Sequence, residues 1–317
     1  MRAETFSEIR AIKHKYMSVS DPQDTFTGAA SSPSVAQSLE KAFRWLTLLL
    51  ALAVAGTLLW MVVIVTIEAW PAIKEYGIGF IGSSGWAPNR DDFGALPHIY
   101  GTVVSSLIAL VIAVPVGLGV AIFLSEDYLP PQIQQAIAFM IELLAAIPSV
   151  VYGLWGIFVV IPLLQPIGVN GPCMLASSVV LAIMILPTIA ALSRDALLNV
   201  PNILRQGAYG LGATRWETIL LVLLPAAFSG IVGAIMLALG RALGETMAVT
   251  MLIGNNPRIS FSWLDPGSSI AALLANQFAE ADGMQIYALM YAALILFVLT
   301  LVVNILAELL IRRVQKI

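Results

Sequence analysis

One arginine and one glutamate stand inside an otherwise apolar segment of the chain. Arg241 and Glu245 lie in residues 226–252, a stretch that holds no other charge. A charged side chain at the centre of a bilayer costs about 2.5–3.5 kcal/mol on insertion scales, so such groups usually face a bundle interior or a watery path. A spacing of four residues places the two side chains on one helix face, where they can neutralise each other. The pair therefore predicts either an anion or proton path or an ion pair that fixes helix packing.

The guanidinium group of Arg241 defines the chemistry of an anion path. It stays charged at any relevant pH and can donate two parallel hydrogen bonds to an oxyanion. Transport requires binding that is favourable yet releasable. We hypothesise that Glu245 competes with the anion for Arg241 and so helps to release it.

Four other residues in or beside apolar segments are weaker candidates. Gly240 and Gly244 form a small-x-x-x-small pair, which permits close helix contact and is best explained by packing at a tight subunit or bundle interface. Glu142 is expected near the cytoplasmic end of an apolar segment, where a structural role is favoured. Pro148 interrupts that same segment and is expected to kink a helix.

The composition shows which elements must position these residues. The chain has 317 residues, of which 59% are hydrophobic and 11% charged, with a mean hydropathy of +0.90. Soluble domains carry about 25% charged residues, so a soluble enzyme is excluded. One cysteine excludes an internal disulfide, and the two histidines, His14 and His98, make no metal motif.

Six segments are apolar enough, over about 20 residues, to cross a bilayer as helices. We therefore predict an all-α polytopic membrane protein with six transmembrane helices. The six segments are residues 46–67, 99–124, 136–163, 173–192, 226–252 and 286–307.

The basic residues predict the orientation. With a cytoplasmic N-terminus, twelve of the sixteen Lys and Arg residues fall on inside segments, three fall outside, and Arg241 falls within a span. This asymmetry predicts cytoplasmic N- and C-termini. Residues 1–45 are polar and are expected to form a flexible cytoplasmic tail, ahead of a transmembrane domain over 46–317.

Two long outer segments, residues 68–98 and 253–285, combine aromatic and acidic residues. They include Trp70, Trp86 and Trp263. Exposed aromatic residues beside acids can dock a soluble partner. An aromatic belt at the membrane interface explains them equally well.

The inside segment between the fourth and fifth spans, residues 193–225, has a pattern typical of a docking element or of a loop helix that lies on the membrane surface. Pro201 can open a short helix, and Gly210 and Gly212 supply a stop and a turn. The chain has no G-x-x-x-x-G-K-[ST] loop, and none of its lysines follows a glycine. We therefore expect no ATP hydrolysis by that route and no catalytic site in this chain.

Several motifs in this segment and in the spans resemble those of ABC importer permeases. Gln206, Gly207 and Ala208, followed by Gly212 and Pro225, are similar to the EAA loop of that family, with Gln206 and Gly207 departing from its usual Glu and Ala. The stretches ELLAAIPSVVYG from Glu142, GRALGETMAVT from Gly240 and PHIYGTVVSS from Pro97 resemble the PstC-type permease subunit of phosphate importers.

The resemblance implies a type I, MetI-like permease fold in a bacterial inner membrane. It implies a homologous PstA-type permease, two ATPase subunits that carry ATP and Mg, a periplasmic phosphate-binding protein, and inorganic phosphate as substrate. Membrane lipids surround such a subunit, and nucleic acid has no part in it. In that family the loop matching Gln206 to Gly212 couples to the ATPase, and charged residues matching Arg241 and Glu245 are implicated in phosphate passage.

Two other functions remain open at the level of the sequence. An anion transporter or channel driven by an ion gradient would need no ATPase and often shows internal repeats, of which none is obvious here. A membrane-embedded scaffold would have no substrate path.

Overall fold

A computed structural model of the chain describes residues 35–126 and 128–314. The prediction of a flexible tail over residues 1–45 lies mostly outside these ranges, as does His14. The first helix begins at Val35, so the last residues of the predicted tail are helical. The structure comprises two units that divide between Leu59 and Trp60. In the first unit, the described side chains from Ser38 to Leu59 are all exposed.

The described residues are mostly helical. The helices are α1 Val35–Tyr76, α2 Gly79–Gly82, α3 Leu96–Ser125, α4 Pro131–Ala145, α5 Ser149–Trp155, α6 Ile161–Leu164, α7 Met174–Leu198, α8 Asn202–Gly210, α9 Arg215–Thr218, α10 Leu224–Leu243, α11 Met247–Leu252, α12 Ile270–Gln277 and α13 Gly283–Val314. Short π-helical segments, Gly156–Val160 and Ile219–Leu223, join α5 to α6 and α9 to α10. Two 3-10 turns are Pro88–Arg90 and Gln165–Ile167.

Six helical segments in the described part are long and apolar enough to cross a membrane, which confirms the predicted fold class. They are Ser38–Tyr76, Leu96–Ser125, Ser149–Ile167, Met174–Leu198, Arg215–Leu243 and Gly283–Leu309, and we call them the first to sixth spans. The first, second and sixth spans contain the predicted segments at those places, and the fourth contains all of its predicted segment except Cys173, which is its N-cap. The third and fifth differ from the predictions in an informative way.

The prediction of one helix over residues 136–163 was wrong. Helix α4 ends at Ala145 and α5 begins at Ser149, with Pro148 at the N-cap of α5. A proline pushes the residue before it out of the helical region, so a helix usually ends at or before that residue. Pro148 therefore separates two helices instead of kinking one. Glu142 lies exposed on α4, outside the third span.

The fifth span also ends earlier than predicted. Helix α10 stops at Leu243, Gly244 caps it, and α11 begins only at Met247. The predicted helix over 226–252 is therefore two helices joined by residues 244–246, which we call the 244–246 break. At its other end, the span extends back to Arg215 through a π-helical segment. Thr214 and Glu217 form a reciprocal capping box where α9 begins.

The fourth span lies at the centre of the second unit. Its side chains Leu181, Ile185 and Ile189 pack in one buried cluster with small residues of the second and fifth spans, including Ala109 and Ala238. Small residues let helix backbones approach closely, and packing of this kind drives helix association in lipid. The second, fourth and fifth spans thus form the packed core of the bundle.

The end of the bundle opposite α8, which we call the hairpin end, is built from short elements. Strands β1, Trp86–Ala87, and β2, Asp92–Phe93, pair antiparallel. The Trp86 ring packs edge-on against Phe93 and His98, and its indole N–H donates to Gln277 at 2.8 Å. Trp86 is therefore held inside the fold, whereas Trp70 and Trp263 stay exposed.

A close backbone approach joins the second span to the segment before α12 at the hairpin end. The Nδ1 atom of His98 lies 2.8 Å from Ser268 Oγ, and the Thr102 hydroxyl accepts a hydrogen bond from the N–H of Ile270 at 2.9 Å. A Cβ atom at Gly101 would collide with the carbonyl oxygen of Ser268. Glycine at 101 therefore permits a contact that no other residue type would allow.

Candidate functional site

Arg241 lies in the last turn of α10 and lines a groove in the membrane-spanning part of the bundle. The groove has a volume of about 690 Å³ and is lined by the fourth, fifth and sixth spans. Its polar lining consists of Arg241, Thr188 and Asn304, and the rest is Gly233, Met236, Leu237 and Gly240. Arg241 is half-buried. The apolar sequence of α10 therefore places a charged residue in the lining of a largely apolar groove.

Glu245 does not share a helix face with Arg241, contrary to the prediction from their spacing. It lies in the 244–246 break, where the helical periodicity is interrupted. Its Oε1 accepts a hydrogen bond from the N–H of Ala248 at 3.3 Å, so its carboxylate caps the first turn of α11. Across the described residues, no ion pair within 4.0 Å joins Glu245 to Arg241.

Gly240 and Gly244 do not bring two helices of this chain together. A Cβ at Gly240 would meet nothing within 4 Å among the described residues, and one at Gly244 would meet only the carbonyl oxygen of Gly240, at 3.6 Å. Packing inside the bundle therefore does not account for the pair. Gly240 instead lines the groove beside Arg241 without a side chain that would fill it. Gly244 is the C-cap residue of α10.

This arrangement leaves the Arg241 guanidinium with hydrogen-bond donors that no acid within the described part engages. A planar fork of donors in an apolar groove suits a tetrahedral or planar oxyanion, because both oxygens of one edge can be bound at once. The hydroxyl of Thr188 and the amide of Asn304 can add neutral hydrogen bonds. The polar groups that line the groove are therefore of the type that binds an oxyanion.

The predicted short helix of the 193–225 segment is present as α8, Asn202–Gly210. Gln206 and Gly207 are exposed on it, and Ala208 is half-buried. Gly212 ends the helix with a left-handed φ of +86°, a conformation that glycine adopts without strain. The N–H of Ala213 donates to the carbonyl of Ala208 at 3.0 Å and closes this turn.

Helix α8 and the turn after it expose a set of large apolar side chains. Leu211 is 92% exposed and Ile203 is 74% exposed, with Tyr209 and Trp216 also open to solvent. A contiguous exposed apolar surface rimmed by polar residues marks a protein contact site. This exposed apolar surface fits both a docking element and a helix on the membrane surface, so the docking role stays a prediction.

A buried ion pair that the sequence reasoning missed anchors α8 to the bundle. The guanidinium of Arg205, on α8, lies 2.8 Å from the carboxylate of Glu126, which directly follows the second span. The side chain of Glu126 is 3% exposed and that of Arg205 is 20% exposed. The sequence signal that could have indicated this pair was an acidic residue directly after a span, on the same side of the membrane as the basic residues of 193–225.

Next to this ion pair, two side chains donate hydrogen bonds to a backbone carbonyl in the last turn of the second span. The carbonyl oxygen of Leu124 accepts a hydrogen bond from Nε of Arg194 at 3.4 Å and a second one from the side-chain amide of Gln134. Carbonyls in the last turn of a helix lack a helical partner, so such donors satisfy them. Arg194 belongs to the fourth span and Gln134 to α4.

Comparisons with known proteins agree with this architecture. Residues 113–316 match the model of the family described as binding-protein-dependent transport system inner membrane component. The phosphate transport system permease protein PstC of Haemophilus influenzae is 42% identical over 299 residues, which cover 88% of this chain and 95% of that protein. The probable phosphate transport system permease protein PstC of Methanocaldococcus jannaschii is 35% identical, covering 75% of this chain and 82% of that protein.

Two solved structures share the fold. A bacterial alginate ABC transporter in complex with a periplasmic protein superposes with a TM-score of 0.63 at 18% identity, covering 87% of this chain and 97% of that chain. The MetNI methionine ABC transporter in an inward-facing conformation gives a TM-score of 0.52 at 20% identity, covering 70% of this chain and 94% of that chain. With its matching family model, its relatives and its six spans, this chain belongs to the binding-protein-dependent transport system inner membrane component family.

Proposed function

We propose that the chain is the membrane permease subunit of an ATP-driven phosphate importer and forms half of its translocation path. The observation that carries this proposal is the 42% identity, over 88% of the chain, to a protein named as a phosphate transport system permease. The other half of the path belongs to a homologous PstA-type permease. The groove at Arg241, open along the fifth span, supplies a surface on which that second permease completes the path.

Arg241 is the proposed contact for phosphate inside the membrane. Its guanidinium offers a bidentate fork to two phosphate oxygens in a groove of low polarity, where charge-assisted hydrogen bonds are strong. Glu245 caps α11 in this conformation, which leaves Arg241 to the anion. Release follows when the 244–246 break rearranges and the Glu245 carboxylate competes for the guanidinium.

Energy for this cycle comes from partner chains. The sequence holds no phosphate-binding loop, so ATP and Mg belong to two separate ATPase subunits and this chain is not itself an enzyme. The exposed apolar side chains of α8 and its turn dock on an ATPase subunit, with Gln206, Gly207, Ala208 and Gly212 at or beside the contact. Nucleotide state then biases the permease between two conformations.

The proposed membrane setting follows from the charge distribution. Twelve of the sixteen Lys and Arg residues fall on the sequence segments that a six-span topology assigns to the same side as residues 193–225. This asymmetry supports a cytoplasmic location for that side and for both termini, with the spans in the inner membrane of a bacterial cell among its lipids. The hairpin end then faces the periplasm and receives a phosphate-binding protein. Exposed Trp263 and Phe261 on residues 253–269 provide the apolar part of that contact.

Uptake of radiolabelled phosphate in cells that lack every other phosphate importer tests the proposal. Deleting this chain should abolish uptake, and Gly212→Val should do the same because valine is strained at a positive φ. Gly56→Ala, where a Cβ meets nothing within 4 Å, serves as the matched control and should leave uptake intact. Unchanged uptake in the deletion strain contradicts the proposal. Uptake that stops on dissipating ion gradients but survives ATP depletion favours a gradient-driven anion transporter instead.

A further inference from the structure

Helix α8 packs against the start of the fifth span, and one ion pair links it to a third element that is not its neighbour along the chain. It contains no fully buried residue, and its neighbours along the chain are the start of the fifth span and the end of the fourth. Arg205 is its strongest polar link to another part of the molecule, through the 2.8 Å contact with Glu126. A displacement of α8 can therefore reach the second span directly through this pair, in addition to the fourth and fifth spans to which α8 is joined along the chain.

Glu126 is placed to deliver that displacement to one span in particular. It is the C-cap residue of the second span, and its N–H donates to the carbonyl of Ile122 at 3.2 Å. A carboxylate so deeply buried is costly unless a cation and further donors satisfy it, so separating it from Arg205 is unfavourable. The ion pair thus ties α8 to the end of the second span.

The second span carries a displacement to the hairpin end as a rigid body. It packs along the central fourth span, where its glycine at 117 meets Ile189 so closely that a Cβ would lie 2.9 Å away. At the hairpin end, the contacts of Gly101 with Ser268 and of Thr102 with Ile270 attach it to the segment after α11. Packed interfaces of this kind transmit shifts instead of absorbing them.

The same segment leads back to the 244–246 break. The N–H of Gly267 donates to the carbonyl of Ile253 at 2.8 Å, and Ile253 directly follows α11. Helix α11 begins two residues after Glu245, whose carboxylate caps it. A continuous chain of hydrogen bonds and close contacts therefore runs from α8, through Glu126 and the second span, to the residues beside Arg241.

We infer that Glu126 is a positioning residue which, through Arg205, transmits the movement of a docked partner at α8 to the second span and so to the anion groove. This inference rests on the proposed function, because it assumes that an ATPase docks on α8. It predicts that loss of the Glu126 charge separates ATP hydrolysis from transport. A residue with a merely structural role would lower both in proportion.

The experiment uses the complete importer, with both permeases, the ATPase and the binding protein, reconstituted in liposomes. The measured quantity is phosphate taken up per ATP hydrolysed, for wild type, Glu126→Gln and the charge swap Glu126→Arg with Arg205→Glu. Glu308→Gln, which removes one side of an exposed ion pair on α13, is the matched control. Absence of phosphate uptake by the wild-type complex would refute the proposed function itself and so is distinguishable.

We expect Glu126→Gln to lower the ratio of phosphate to ATP by about fivefold or more, the range of a typical coupling free energy. The charge swap should regain most of the wild-type ratio, and Glu308→Gln should not change it. An unchanged ratio in Glu126→Gln, or an assembled swap without recovery, overturns the inference. If Glu126→Gln fails to assemble, the swap decides, and failure of both to assemble also overturns it, because Glu126 would then be needed only for folding.

Discussion

Two arginines in this chain occupy opposite situations. Arg205 sits at the surface end of the bundle, yet its guanidinium is paired at 2.8 Å with a buried carboxylate from a different element. Arg241 sits in the membrane-spanning part, lines a groove of about 690 Å³, and has no acid within 4.0 Å among the described residues. Arg205 therefore links two elements of the fold through an ion pair, whereas Arg241 keeps its hydrogen-bond donors available.

The difference shows what decides whether two charges pair. Arg241 and Glu245 have the spacing of a helical ion pair, but the helix ends between them at Gly244, so the spacing loses its meaning. Arg205 and Glu126 are far apart in sequence, and the fold brings them together. A fixed pair suits transmission of force, and an unpaired fork suits reversible binding of an anion.

The largest expected effect comes from the unpaired arginine. Arg241→Gln should lower phosphate uptake by about 100-fold, as removal of one preorganised donor does at other charged sites. It should leave the free energy of unfolding within about 0.5 kcal/mol of wild type, since it breaks no ion pair. Uptake assays and thermal unfolding of the purified protein in detergent measure the two quantities. Wild-type uptake at normal protein level would remove Arg241 from the path.

In contrast to Arg241→Gln, breaking the buried pair between Glu126 and Arg205 should lower the stability of the protein. Glu126→Gln should lower the free energy of unfolding by about 2 kcal/mol, less than for a fully buried pair because Arg205 is partly exposed. The measurement is the shift in Tm in detergent. Arg312→Gln, which breaks the exposed pair with Glu308 on α13, is the control and should cost less than about 0.5 kcal/mol. Equal shifts in the two variants would show that burial at Glu126 adds nothing.

The smallest expected effect distinguishes a cap from an ion pair at Glu245. Glu245→Ala should lower the free energy of unfolding by about 1 kcal/mol, because the N–H of Ala248 loses its acceptor. Glu245→Gln keeps an oxygen acceptor and should retain most of that stability. If the two variants are equally destabilised, the negative charge of Glu245 is what matters, either at the N-terminus of α11 or towards Arg241.

Hydropathy sufficed for much of the fold because lipid demands about 20 apolar residues per crossing helix. It identified residues 99–124, which lie inside the second span, and residues 173–192, which match the fourth span except for Cys173 at its N-cap. Hydropathy did not predict the helix ends at Ala146 and Gly244, because the sequence stays apolar across both breaks although the helix is interrupted there. A proline at 148 marked the first break, whereas Gly244, in an ordinary right-handed conformation, gave no comparable signal.

The candidate site was predicted in the same partial way. Arg241 stood out because an intramembrane charge is expensive, and α8 stood out through Pro201, Gly212 and its apolar residues. Glu126 did not stand out, because an acid after a span is ordinary until its burial and its partner are known. Its importance comes from contacts between residues that the sequence keeps far apart.

The sequence by itself determined the membrane class, the six spans, a short helix between the fourth and fifth spans and an arginine among apolar residues. Each of these follows from local composition and periodicity, because a bilayer selects long apolar helices and because proline and glycine act on the backbone locally. Only the tertiary structure decided which charges pair, because pairing depends on where helices end and on which elements meet. The tertiary structure separates Arg241 from Glu245 and pairs Arg205 with Glu126. It thus distinguishes a groove suited to an anion from an ion pair that links two elements.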